Sequence, residues 1–438
     1  MIRRFVHSFP VIVKRPHHFL AACLLLGLTG LAIWYTIANL WFEYHFQKAQ
    51  SALSADQFAE ARRHIGYCLS FSPESGRTHL LAARVARRSG DLKVANRQLH
   101  EAQRLLNLTD DIALERALLV AQMGEVDGVE LQLRPKIEQG HPQTTQILEA
   151  MAKGYLRTYR FSEAGACLKE WLNYEPDSSQ ANFLMGWELQ QRGNKTDSAE
   201  YFKRSMELDP ANETVRYHLA LALLDKVQPD EAIGHLEMLA KSQPDNLDVK
   251  INLARCQHAL GQVDEARVLL DKILGRQPSN SAALVERGLL ASNTESPTVA
   301  EQYLQQALQV DEHNPQANFA YHKCLLALGK EREAAEQLAK VKAIDEDVHR
   351  AQDLLGRMIP SNPNSPVFHF EAGVIFLRLG NDEEGERMLY RALKLAPGYE
   401  AAQSALLDHF QKKKDYKRLA KLKEAITAGT PVEAAVPF

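Results

Sequence analysis

From Phe19 to Phe42 the chain reads FLAACLLLGLTGLAIWYTIANLWF, without a single charged residue. At about 1.5 Å per helical residue this run measures about 36 Å, enough to cross a hydrocarbon layer of about 30 Å with some tilt. Beyond it, apolar positions return at helical spacing in paired segments, separated by Gly, Pro, Asn and Asp. That alternation predicts amphipathic helices joined by short turns. The expected fold class is all-α, with one transmembrane helix over 19–42 followed by helix-turn-helix pairs to residue 426.

Aromatic residues mark the far end of the uncharged run, where Trp41, Phe42 and Tyr44 cluster as an interfacial belt would; Trp34 and Tyr35 lie further in. A cleaved signal peptide has a shorter apolar core with a small-x-small site behind it, and this core ends in bulky Trp41-Phe42, so an uncleaved span is expected. The segment 1–18 is basic, with Arg3, Arg4, Lys14 and Arg15 and no acid. After the span only Lys48 and Arg62 lie within about 20 residues. The positive-inside rule then puts the N-terminus in the cytoplasm and the body on the periplasmic or extracytoplasmic side. Unpaired cysteines at 68, 167, 256 and 324 argue weakly the other way, being commoner in reducing compartments.

The body repeats itself every 34 residues. Pro176, Pro210, Pro244 and Pro278 keep that step, as do Gly90 and Gly124. Units are expected to start at 42, 76, 110, 145, 179, 213, 247, 281, 315 and 366. Their eighth residue is small (Ala49, Ala83, Ala117, Ala152, Gly186, Ala220, Ala254, Gly288, Gly373), except for His322. Their twentieth is small too, from Ala61 to Ala334, except for Val129. Helices whose axes pass ~8–10 Å apart need small residues where they cross. A glycine ends the first helix of a unit, and a late proline stops the second.

The unit 179–212, with Gly186, Gly193, Ser198, Phe202 and Pro210 in phase, resembles the tetratricopeptide repeat (TPR) family. The resemblance covers about 42–426. It implies a right-handed superhelical solenoid in which each pair buries its apolar face against its neighbours. It further implies that positions 2, 5, 9, 12 and 13 of the first helices line a concave peptide-binding groove. Carried over, these positions supply Arg84, Arg87, Lys153, Arg157, Phe183, Trp187, Tyr217, Arg255, Phe319 and Lys323. Aromatic residues with Arg and Lys between them suit partner proteins or peptides with apolar anchors and acidic residues. Trp187 and Phe183, one turn apart, are the first anchor candidates, although aromatic residues at position 5 also pack one unit on the next. The Lys/Asn arrangement of the chaperone-type carboxylate clamp is missing.

Three departures stand out. Pro135 falls inside the second helix of the third unit and predicts a kink. After Glu331 a longer helix is expected to about Met358, with Val341, Ile344, Val348, Ala351, Leu355 and Met358 in a stripe that packs on the next unit or seats a partner. Residues 400–426 are expected to form a C-terminal capping pair, and 427–438 a disordered tail. No linker separates Phe42 from the first unit, so the membrane helix is expected to run directly into it.

Composition adds exclusions. With 52 basic and 55 acidic residues, a uniformly basic nucleic-acid binder is not expected. Residues 62–104 nevertheless carry a local excess of positive charge. Arg62, Arg63, Arg77, Arg84, Arg87 and Arg88 there could meet anionic headgroups, or form a solvated face balanced by neighbours. No phosphate-binding glycine loop, zinc-binding His pair or nucleophile elbow is present. The cysteines are dispersed, so neither a zinc site nor a disulfide is expected. No cofactor and no metal is expected, and no segment remains for a catalytic domain. The primary expectation is a non-enzymatic, membrane-anchored protein-protein interaction scaffold. The alternative is an envelope assembly or secretion factor. Its layout is similar to that of bacterial lipopolysaccharide-assembly repeat proteins, without their metal-binding cysteines.

Overall fold

The computed structural model describes residues 16–430, with side chains from Leu24 onward. The basic residues Arg3, Arg4, Lys14 and Arg15 and the tail 431–438 lie outside the described residues. Among the described residues all regular structure is helical. The chain divides at Gln139/Gly140 into two units.

The first unit contains α1 (Pro16–Ser54), α2 (Phe58–Phe71), α3 (Gly76–Arg88), α4 (Leu92–Leu106), α5 (Asp110–Gln122) and α6 (Asp127–Glu138). The second begins with α7 (Thr144–Arg157), α8 (Phe161–Tyr174), α9 (Ser179–Gln191), α10 (Lys195–Leu208), α11 (Glu213–Asp225) and α12 (Pro229–Ser242). It continues with α13 (Leu247–Ala259), α14 (Val263–Arg276), α15 (Ser281–Thr294), α16 (Pro297–Val310), α17 (Pro315–Ala327) and α18 (Glu331–Asp353). A π-helical turn, Leu354–Met358, leads to the short α19 (Ile359–Ser361). Then come α20 (Pro366–Arg378), α21 (Asp382–Leu395), α22 (Glu400–Lys412) and α23 (Tyr416–Ala428).

Local sequence sets these boundaries. Ser178, Asn212, Asn246, Asn280, Asn314 and Ser365 stand just before first helices, and each side chain accepts a hydrogen bond from the backbone N–H three residues on. Each thereby satisfies a donor the helix cannot use internally. Asp91, Asn194, Asn381 and Asp415 do the same before second helices. Between the helices of every pair except α15–α16 the chain turns through a left-handed residue. It is glycine at Gly90, Gly124, Gly193, Gly261, Gly329 and Gly380. Asp56, Tyr159, Val227 and Lys414 take the same conformation without glycine's freedom.

Packing within a pair follows the small residues. Ala49, Ala83, Ala152, Ala220 and Ala254 are buried, as are Ala61, Ala95, Ala164, Ala232, Ala266 and Ala300 facing them. Glycine is required at several close approaches: a Cβ on Gly186 would lie 2.8 Å from Phe202 Cδ1, and one on Gly288 2.8 Å from Leu304 Cγ. His322 is the exception, and its Nδ1 sits 2.9 Å from the Ala334 carbonyl oxygen on the facing helix. Larger residues then fill the layers between pairs, for example Phe202, Leu219, Leu236 and Leu253.

The departures have structural outcomes. α6 continues through Pro135 to Glu138 and fully buries only Leu133 and Ile137. The long helix from Glu331 packs back along α20: Arg350 makes a two-pronged ion pair with Glu371 (2.6 and 2.8 Å), and Arg378 reaches back to Asp347. The π turn admits extra residues and shifts the stripe. Ile344 and Ala351 are buried as the spacing suggests, but beyond them Leu354 and Ile359 replace Leu355 and Met358 in the interior. At the other end α1 runs unbroken from the apolar stretch into the first pair. It is long and apolar enough to cross a membrane, by length and composition.

Val227 is the costliest of the left-handed turns, because a β-branched side chain at φ 59° crowds its own backbone. It is 82% exposed, so no packing is lost by removing it. Val227→Gly is expected to stabilise the protein by about 1 kcal/mol, read as a raised thermal midpoint. A lowered midpoint would show the turn to be unstrained.

Candidate functional site

The first helices of the second unit form a continuous row: α11 touches α13, α13 touches α15, and α15 touches α17. Side chains four residues apart on each helix share a face of this row. Tyr217, Arg255, Phe319 and Lys323 come to it from α11, α13 and α17.

Polar contacts tie the row together. Asn252 Nδ2 donates to the Tyr217 hydroxyl at 3.2 Å. Burial and the nearby Asp248 carboxylate push the Tyr217 pKa up. Arg255 lies 3.6 Å from Asp225 and also acts on Glu286, whose own pKa is raised by burial in spite of it. Gln316 Nε2 donates to Glu286 Oε1 at 3.4 Å. Arg255 therefore already has a carboxylate partner in Asp225. Asp225 and Glu286 were not among the sequence candidates. The signal for Glu286 was present, a carboxylate at the sixth position of a first helix, where Asn252 stands in the preceding unit.

The end of the row at α17 is different. Phe319 is 52% exposed, and Lys323 Nζ lies 5.3 Å from its ring centroid. Lys323 has no carboxylate partner among the described residues. Beside it is a hollow of about 240 Å³, lined by Leu289, Ser292, Asn293, Pro297, Lys323 and Ala327 together with the Cys324 edge of α17. Cys324 Sγ points to the Pro297 carbonyl at 3.0 Å, and burial raises its pKa. Cys256 makes the matching contact to Pro229, and its thiol is pushed up to about 11. These thiols are packing groups with little thiolate at neutral pH.

The other sequence candidates have different surroundings. Phe183 and Trp187 are only partly exposed and pack on the core that contains Phe202, Val215 and Leu219; Phe183 is 5.8 Å from the Phe202 ring and 5.3 Å from His218. Both help pack one repeat on the next and keep part of their surface exposed. Lys153 is drawn onto buried Glu149 at 2.6 Å. Arg157 is exposed, and partial burial of its head with the like charge of Arg387 lowers its pKa.

Arg84 and Arg87 belong to the first unit, and the structure corrects both. Arg87 is 1% exposed; its Nε donates to Glu115 Oε1 at 2.6 Å and its Nη1 to Gln122 at 3.2 Å, and Gln122 returns a bond to the Arg87 carbonyl. Arg84 lies 3.2 Å from Asp111 and 3.7 Å from Glu115. Both arginines are spent on fastening α3 to α5. The rest of the basic stretch is paired too: Arg63 with Glu60, Arg77 with Glu43, Arg88 with Asp56, while Arg62 donates to Ser89. Five of these six arginines thus meet carboxylates within the first unit, and Arg62 meets a hydroxyl.

Sequence comparison finds the tetratricopeptide repeat in this chain at residues 179–212, 223–287 and 295–358. Among curated proteins it is similar to the human protein O-mannosyl-transferase TMTC3, 22% identical over 269 residues, which are 56% of this chain and 29% of that protein. It is also similar to anaphase-promoting complex subunit 3 of Dictyostelium discoideum, 31% identical over 111 residues, which are 25% of this chain and 11% of that protein. The chain thus spans less than a third of either relative. Among solved structures it is similar to PilW, a type IV pilus biogenesis factor (20% identity, 46% of this chain and 93% of that chain, TM-score 0.39). MamA is another (21% identity, 39% and 93%, TM-score 0.35).

The Arg87–Glu115 pair yields a stability test. Arg87→Ala leaves a carboxylate buried without its partner and is expected to cost about 3–5 kcal/mol. Arg87→Met combined with Glu115→Leu should recover most of that loss, because no lone charge remains. Thermal unfolding of the three proteins, followed by circular dichroism, checks this. Equal losses for the single and double variants would contradict the account.

Proposed function

The chain carries tetratricopeptide repeats, a fold that typically mediates protein–protein interaction and is typically non-enzymatic, and on that premise we propose that it is a membrane-anchored scaffold without catalytic activity of its own. Partners bind on the first-helix row of the second unit. The observation that carries this reading is the α17 end of the row, where exposed Phe319, unpaired Lys323 and an adjoining hollow are left over from packing. An exposed aromatic ring beside a free cation fits a partner segment with an apolar anchor next to an acidic residue. Arg255, paired with Asp225, contributes less charge to that segment and more to its register. The unbroken exposed apolar stretch of α1 supports anchoring. The excess of Arg and Lys before it supports a cytoplasmic N-terminus, with the repeats on the extracytoplasmic side.

The test is crosslinking of the tagged full-length protein in its native cells, with Phe319→Ala/Lys323→Glu beside the wild type. Loss of the captured set in the variant, at equal expression and membrane fraction, is the expected result. An unchanged set would overturn the proposed site. A set confined to one multiprotein machine would favour the envelope assembly or secretion reading over a general scaffold.

A further inference from the structure

α2 runs antiparallel to α1 and brings its last turn back beside the end of the uncharged stretch. Phe71 lies 5.9 Å from the Trp41 ring and 6.2 Å from the Phe42 ring. Tyr67 lies 6.3 Å from Trp41 and 4.9 Å from His45. Trp41, Tyr44, Tyr67 and Phe71 are all exposed, although a soluble repeat would turn such side chains inward. His45 and His64 close the cluster from behind, their Nδ1 atoms 2.7 Å apart. Arg77, the first charged residue of α3, covers the inner side, its guanidinium 5.0 Å from the Phe42 ring and 4.5 Å from Phe46, while pairing with Glu43.

The ring contacts fix the level of these residues along α1. Phe71 stands at the height of residues 41–42, and Tyr67 up to one turn higher, level with 41–45. The uncharged run measures about 36 Å against about 30 Å of hydrocarbon, so its last residues fall in the polar layer of a bilayer. Aromatic rings with a polar edge favour that layer.

From this geometry we infer that Tyr67 and Phe71 of α2 join Trp41 and Tyr44 in a two-helix aromatic collar that sits in the headgroup layer of the bilayer. The inference rests on the anchoring reading above and adds that the first repeat is itself part of the membrane contact. The occupant of the exposed aromatic face is phospholipid, as its continuity with the exposed apolar face of α1 requires. The contact needs no anionic lipid, since it is made by aromatic rings and five of the six arginines of 62–88 already meet carboxylates. Two helices at the surface fix the tilt of the first repeat, where a single helix would leave it free to swing.

The test uses full-length protein carrying Phe71→Trp, reconstituted into phosphatidylcholine vesicles with or without acyl chains brominated near the headgroup. The signal is the emission added over wild type, which already contains Trp34, Trp41, Trp171 and Trp187. Quenching of at least half of that added emission by the brominated lipid, unchanged at high salt and little affected by aqueous acrylamide, is expected. If the added emission is quenched by acrylamide and not by brominated lipid while the protein still floats with vesicles after an alkaline wash, the collar is wrong and the anchor stands. If the protein is released by the wash, both fail.

Discussion

Two helices of a pair can approach closely only where the residue at their crossing has almost no side chain. Everything else in the fold depends on that constraint. Ala or Gly at the eighth position, facing Ala, Ser or Gly at the twentieth, brings the backbones together. Leu and Phe side chains then have only the flanks of each pair available, where they meet the next pair. Each pair is therefore finished by its neighbour, and stability in such arrays is largely a sum of local terms.

The same constraint explains the surface. With apolar side chains committed to the flanks, the outward positions of the first helices are free for polar and aromatic residues. Many of them fasten one pair to the next: Arg87 with Glu115, Asn252 with Tyr217, Arg255 with Asp225. What is left unfastened is informative because so much is fastened. In the second unit that remainder includes Phe319 with Lys323 and the hollow beside them. In the first it includes the aromatic edge of α1 and α2.

The repeat length, helix type and turn positions were legible because each is a local property. Asn at a helix start, Gly in a left-handed turn and small residues at a crossing leave a mark wherever they recur. The longer helix after Glu331 was legible for the same reason, though the π turn that exchanges Leu355 and Met358 for Leu354 and Ile359 was not, since it answers to α20 and not to its own sequence. Site residues were harder. The reading of Arg87 as a groove cation failed because its partner Glu115 lies 28 residues away, on the next first helix. Trp187 and Phe183 were hard for a like reason: position on a helix says which face a ring takes, not how far the neighbouring pair covers it. Tyr67 and Phe71 went unremarked because their meaning lies in their nearness to Trp41, a contact made by the turn of the chain.

The closeness of the helix pair is best measured at a close approach to an aliphatic side chain in mid-helix, at Gly288 against Leu304. A Cβ at 288 would lie 2.8 Å from two Leu304 atoms, so Gly288→Ala alone should cost about 1–3 kcal/mol by overpacking. Leu304→Ala alone should cost about 2–5 kcal/mol by leaving a cavity. The account predicts that the double variant, in a denaturant titration of the full-length protein, loses less than the sum of the two by about 1 kcal/mol or more, because the new methyl enters the space the leucine left. Losses that add within about 0.5 kcal/mol would show the two sites to be independent and contradict it.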